Sequence, residues 1–152
     1  MKRGEAVRIL VSIALATFVF SGCATTPIRA SDAQRIPAER LYAFQERTEK
    51  STASIIVTRD VGFVGSGCYV AVRVNGVRSA TFDFGETASF YVEPGETVVS
   101  VGYDTIVSVS LCSAPEYRKT VETYLRPGEA KFYRVTFVPG GYGPDIIRSE
   151  IK

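Results

Sequence analysis

"VAVRVNGVRSATF", Val70 to Phe82, decides how this chain folds. Val70, Val72 and Val74 alternate with Ala71 and Arg73, the period of two expected of a strand with one buried face. After Asn75-Gly76, apolar and β-branched residues resume from Val77 to Phe82. A two-residue type I′ turn needs positive φ at both central positions, which Asn and Gly supply. The stretch therefore predicts a β-hairpin in which Val74 pairs Val77 and Arg73 faces Arg78. Like charges directly opposite destabilise a sheet. The two arginines either point into water near acidic neighbours or form a small anion site for a ligand or a partner protein.

Strand signals continue on both sides. "SIIVTRD", Ser54 to Asp60, is β-branched. "ETASFYVEPGETVVSVGY", Glu86 to Tyr103, gives two strands around Pro94-Gly95. "KTVETYL" is separated by Pro127-Gly128 from a run in which Tyr133, Val135 and Phe137 alternate inward. Proline presets the second position of a type II turn and glycine supplies positive φ at the third. "IVSVSL", Ile106 to Leu111, and the final "DIIRSE" complete the set. The composition of "PAERLYAFQERTEK" favours helix, but "RLYAFQ", Arg40 to Gln45, is read as the first strand. Turn signals at short intervals predict an all-β, antiparallel immunoglobulin-like β-sandwich over residues 40–152.

The N-terminal end sets the protein's address. "MKRGEAVR" is basic, and Ile9 to Phe20 follow as an uncharged run of twelve residues. A bilayer-spanning helix needs roughly 20 apolar residues. A basic start, a short apolar stretch and small residues before a cut describe a secretory signal peptide. Here the small pair Ser21-Gly22 stops at Cys23. "FSGC" resembles the lipobox of bacterial lipoproteins, with Phe20 where that family usually has Leu. The resemblance implies a signal peptide over residues 1–22, cleavage before Cys23 and lipid on its thiol, so that the membrane is a partner through that lipid. Ala24 stands where an Asp retains Gram-negative lipoproteins in the inner membrane. Its presence implies the outer membrane, periplasmic face. An ordinary secretory signal and an uncleaved anchor helix are the competing readings. "ATTPIRASDAQRIPAE", Ala24 to Glu39, is small, polar and broken by Pro27 and Pro37, so residues 23–39 are expected to be a flexible tether.

Charge and composition narrow the function. The chain of 152 residues carries 18 basic and 16 acidic side chains. Three of the basic and one of the acidic fall in the leader, which leaves a neutral mature chain. A nucleic-acid partner would want a basic face, so none is expected. The chain has no histidine. That removes Ser-His-Asp and Cys-His nucleophile activation and the usual general base near neutral pH. Of three cysteines, Cys68 and Cys112 remain as an even pair once Cys23 is lipidated. In an exported protein they are expected to form a disulfide, with two free thiols as the alternative. No metal or cofactor is expected, because two cysteines 44 apart lack ligand spacing.

Some features have both a bland and a chemical reading. "GFVGSGC", Gly62 to Cys68, is glycine-rich, but a phosphate loop must open a helix and here a strand follows. It is read as a bend that seats Cys68. Asp83 and Glu86 could act as a carboxylate pair on a glycoside, but are read as turn residues. Asp145 alone cannot cage calcium. Tyr142, among glycines in "VPGGYGPD", is a candidate contact residue beside Arg73 and Arg78.

"VAVRVNGVRSATFDFGETASFYVEPGETVVSVGY" resembles the PEGA-type small β domains of bacterial envelope proteins. Their pattern is an alternating strand, an (Asp/Asn)-Gly turn, then a Pro-Gly-Glu turn into a Val-rich strand. Asn75-Gly76 and Pro94-Gly95-Glu96 hold those places. The preceding "TRDVGFVGSGC" is similar to a related family of uncharacterised bacterial lipoproteins. The resemblance implies an immunoglobulin-like sandwich in the envelope and carries over no catalytic residues. The expected function is a lipid-anchored, non-catalytic structural or interaction module with an envelope protein as partner. The alternative is a ligand binder or an inhibitor of a cell-wall hydrolase.

Overall fold

The computed structural model describes residues 25–62, 67–106, 112, 118–138 and 141–150. The predicted β-sandwich is the fold. After a two-residue strand β1 (Gln34–Arg35) and a 3-10 turn (Ala38–Arg40), eight strands follow. They are β2 (Ala53–Arg59), β3 (Val70–Val74), β4 (Val77–Phe82), β5 (Glu86–Val92), β6 (Gly95–Tyr103), β7 (Lys119–Leu125), β8 (Ala130–Phe137) and β9 (Pro144–Arg148). One sheet has the order β1-β5-β2-β8-β9 and the other β4-β3-β6-β7.

Alternation on each strand makes the core. Ile55, Val57, Phe90, Tyr133 and Val135 from the first sheet meet Val70, Val72, Val74, Phe82, Val99 and Val101 from the second. Burying one such side chain contributes roughly 1.5–3 kcal/mol, so the contact between the inner faces is the main term holding the layers together. Phe82 and Phe90 meet across it with ring centroids 6.5 Å apart.

The hairpin forms as read. Asn75 and Gly76 take φ of 50° and 80°, the positive values of a type I′ turn. Val74 pairs Val77 and Arg73 pairs Arg78. The register then slips between Val72 and Arg73, because Val72 pairs Ala80 and leaves Ser79 extra. This is a β-bulge, a device that re-aims side chains. The buried Ser79 hydroxyl accepts from Val74 N at 3.2 Å and donates to Val77 O at 2.9 Å.

Four expectations are corrected. The sandwich is not purely antiparallel: β2 runs parallel to β8, and β1 parallel to β5. The two Pro-Gly turns are not both type II, and they join strands of different sheets, β5 to β6 and β7 to β8. They are corners where the chain changes layer. Gly95 has φ of 129°, well off the type II value, whereas Gly128 has φ of 75° and Glu129 N donates to Arg126 O at 3.0 Å. Arg40 to Gln45 is neither strand nor helix: Leu41 makes one bridge to Ala80, and Phe44 has φ of 62°. Finally, residues 25–39 are not a free tether. Thr26 bridges Val61, Gln34–Arg35 pairs with β5, and Ile36 is buried in the core. One apolar side chain with a slot to fill outweighs the polar composition around it. The predicted strand over Ile106 to Leu111 lies, beyond Ile106 itself, outside the described residues, as do the signal peptide, Cys23 and most of the glycine-rich bend.

Candidate functional site

Strand directions gather much of the chemistry at one pole. Strands β2, β4, β6 and β8 end there, and β3, β5, β7 and β9 begin there. The loop before β3 carries Cys68 and the long connection from β6 to β7 carries Cys112. The two are joined as a disulfide with Cα atoms 5.5 Å apart. The sequence reading of this pair is met.

Ionic groups belt the same pole. Arg59 ends β2 in the inward phase set by Ala53, Ile55 and Val57, so its guanidinium lies between the sheets at 1% exposure. It donates to Cys68 O at 2.7 Å and Phe82 O at 2.9 Å, and lies 5.2 Å from the Phe137 ring centroid. Burial lowers its pKa to about 10, with Asp83 and Glu86 opposing the shift, so it stays charged at neutral pH. Arg134 grips the buried Asp60 with two bonds of 2.9 and 2.6 Å. Arg40 grips Glu86 with bonds of 2.7 and 2.5 Å and donates to Thr81 O at 3.1 Å. These are bidentate fork geometries, the strong form of the arginine–carboxylate contact. Asp60 and Asp104 directly follow β2 and β6, and Glu86 opens β5 at the end of the turn from β4.

The same contacts give Asp83 and Glu86 a structural role at the β4–β5 turn. Glu86 is held by Arg40 and accepts from Asp83 N at 2.6 Å, while Asp83 accepts from Phe84 N at 2.8 Å. Both act as turn residues. Among the described residues, no group of three His, Cys, Asp or Glu side chains could hold a metal.

The three contact candidates are not brought together. Arg73 and Arg78 lie on the four-stranded sheet, and Tyr142 on the connection between β8 and β9 of the other sheet. Arg78 is already engaged. It pairs with the buried Asp104, donates to Thr81 Oγ1 at 3.0 Å and lies 4.4 Å from the Tyr42 ring centroid. Burial alone would raise the Asp104 pKa, but hydrogen bonds from Thr81, Arg78 and Ile106 N outweigh it and hold the carboxyl below its ordinary value. The Arg73 side chain has no hydrogen bond or ion pair to a described residue, although its backbone pairs with Arg78 and Ser100. Burial, then repulsion from Arg118 and Arg78, lowers its pKa, with only Asp104 opposing. Tyr142 is 88% exposed.

The grooves are shallow. One, about 560 Å³, runs between Tyr42, Phe44 and Tyr91, and another of about 490 Å³ opens beside Ile36. Neither contains the ion pairs described above. Sequence reasoning missed Arg59, Arg40, Asp60, Asp104 and Arg134. Arg59 alone left a signal, since it continues an inward-facing phase of three apolar residues.

Comparison of the chain with family models, with curated proteins and with solved structures returned no match.

Proposed function

We propose that the chain is a cell-envelope lipoprotein, anchored by lipid on Cys23, whose sandwich is a non-catalytic structural or interaction module. The observation that carries this is the uncharged run Ile9 to Phe20 closing on Ser21-Gly22-Cys23. One acyl chain holds a protein only marginally, but two or three on one residue make a lasting anchor. Ala24 after the cysteine supports the outer membrane, and the turn chemistry around Asn75-Gly76 and Pro94-Gly95 supports kinship with PEGA-type envelope domains.

The non-catalytic reading rests on chemistry. There is no histidine. Glu86, the carboxylate best placed for acid–base work, is tied to Arg40 and to Asp83 N. Partner contact then falls to shape and to exposed side chains, of which Arg73 and Tyr142 remain candidates. Arg78 is better explained as the cation that satisfies Asp104. The test is Cys23→Ser followed by cell fractionation and mass spectrometry of the N-terminal peptide. The wild type should carry acyl mass and sediment with membranes, and the variant should lose both. Unchanged processing and sedimentation of the variant would refute the anchor.

A further inference from the structure

The two poles of the sandwich differ in what they expose. The far pole is turned by Asn75-Gly76, by Glu93-Pro94 and by Arg126 to Glu129, with the charged segment Glu46 to Lys50 beside them, and the large apolar side chains exposed near it, Val77 and Tyr124, stand on strands and not in the connections. The near pole, where β8 ends, exposes Phe84 (50%), Ile106 (75%), Val138 (53%) and Tyr142 (88%). Each belongs to a connection between strands, and none of the four side chains is needed to fill the core.

The chain enters at that same pole. Thr25 Oγ1 lies 2.7 Å from Thr136 Oγ1 and donates to Phe137 O at 3.4 Å. Thr26 and Val61 exchange backbone bonds of 2.7 and 3.1 Å. Val61 in turn lines a recess with Ile28 and Phe84. A run of contacts therefore connects Phe84, through Val61 and Thr26, to Thr25 and the residue preceding Val138. Cys23 is two residues upstream of Thr25, and two residues span at most about 7 Å. The polar layer on each side of a bilayer is itself only about 5–7 Å thick. A lipid on Cys23 leaves no slack to hold the domain away from the surface.

We infer that this pole seats directly on the lipid bilayer, with Phe84, Ile106, Val138 and Tyr142 entering the interface around the acylated cysteine. The inference rests on the lipid-anchor reading and goes beyond it by fixing which way the domain faces. Aromatic rings with a polar tip favour the membrane–water boundary, and shallow burial of apolar side chains adds to the hold of the acyl chains. The charged far pole then points away from the membrane, and Arg73 lies on the flank, open to a partner in the periplasm.

The chain contains no tryptophan, so a single introduced indole reports its own position. Phe84→Trp, Tyr142→Trp and, as the control on the outer face of the four-stranded sheet, Tyr124→Trp are made in the full chain and purified with the lipid attached. Each is reconstituted into phosphatidylethanolamine–phosphatidylglycerol vesicles with brominated acyl chains. The indoles at positions 84 and 142 should lose most of their emission relative to the same proteins in unbrominated vesicles, and in unbrominated vesicles should emit further to the blue than without vesicles, while Tyr124→Trp is unaffected. If the protein carries acyl mass and floats with the vesicles, yet Phe84→Trp and Tyr142→Trp are quenched no more than Tyr124→Trp, the docked orientation is wrong and the anchor stands. If no acyl mass is found on Cys23 and nothing floats, the anchor reading falls and the orientation falls with it.

Discussion

Replacing Ile36 with alanine separates a docked strap from a free tether. Ile36 is buried between β1 and the core, its amide donating to Thr87 O at 3.3 Å. The change removes three carbons from a buried site. At about 0.8 kcal/mol per buried methylene, the transfer loss is roughly 2.5 kcal/mol. Large-to-small changes of this kind span about 2–5 kcal/mol, the upper end requiring a rigid, closed cavity. Here an open groove runs alongside, lined by Arg35, Leu41 and Phe132. Water can enter the gap, so the expected cost stays near the transfer value. Arg35→Ala, on the same short strand but exposed, should fall within about 0.5 kcal/mol of wild type. The assay is urea unfolding of the mature chain. With a slope of about 1–3 kcal/mol/M for a domain of this size, the midpoint should fall by roughly 0.8–2.5 M with the slope unchanged. A midpoint for Ile36→Ala as close to wild type as that of Arg35→Ala would show that residues 25–39 contribute nothing to the folded state, and the docking argument would fail.

Two further outcomes are expected. Cys112→Ser opens a loop with a sequence separation of 44, which on the chain-entropy model costs about 4 kcal/mol. For a domain of this length that lowers Tm by roughly 10–15 °C; a nonreducing peptide map should show Cys68 and Cys112 in one linked fragment, and two free thiols in protein from the oxidising compartment would contradict it. Asp104 has a folded-state pKa below its ordinary value, so its contribution is complete above the unfolded value of about 3.9 and fades as pH falls through the lower folded one. Asp104→Asn should therefore cost about 1.5–3 kcal/mol at pH 7, the range for hydrogen bonds to charged groups. The gap to wild type should close as urea midpoints are followed down to acid, and a gap that stayed constant with pH would remove the ionised carboxylate from the explanation.

The local periodicity of this chain was legible and its long-range assignments were not. Val70, Val72 and Val74, and later Tyr133, Val135 and Phe137, show their inward faces in the spacing alone, and all six are buried. Asn75-Gly76 fixes a register because only a few residues tolerate both positive φ values. Pro94-Gly95 and Pro127-Gly128 carry equally clear turn chemistry, but a tight turn does not say whether the next strand pairs beside the last or crosses to the other layer. That depends on which apolar face remains uncovered, a property of the assembled sheets. The 25–39 segment failed for a related reason. It contributes a single core side chain, Ile36, and two strand residues, too few to show any period. Arg40 and Glu86 are 46 positions apart, and no spacing rule links them. Arg73 and Arg78 were placed correctly opposite each other, yet the bulge at Ser79, invisible in the sequence, accompanies the turning of Arg78 toward Asp104.

The ionic belt and the disulfide find their reason in the lengths of the connections. At the far pole three of the connections are short, two residues at Asn75-Gly76, two at Glu93-Pro94 and four at Arg126 to Glu129, beside the longer stretch that leads into β2. Such turns are held by backbone geometry and a single bond. At the near pole, residues 60–69 and 104–118 connect strand to strand over ten and fifteen positions. Asp60, Glu86 and Asp104 pin the first residues of three connections, Arg59 clamps Phe82 O on the facing sheet and Cys68 O in the loop before β3, and Cys68–Cys112 ties residues 60–69 to residues 104–118. Buried ion pairs are poor sources of net stability, since desolvation offsets most of the attraction, but they can select one arrangement over others. A pole fixed in one arrangement presents Phe84, Ile106, Val138 and Tyr142 in constant relation to Thr25. On the proposed anchor, a lipid on Cys23 would hold the sandwich in one orientation on the membrane instead of letting it swing on a leash.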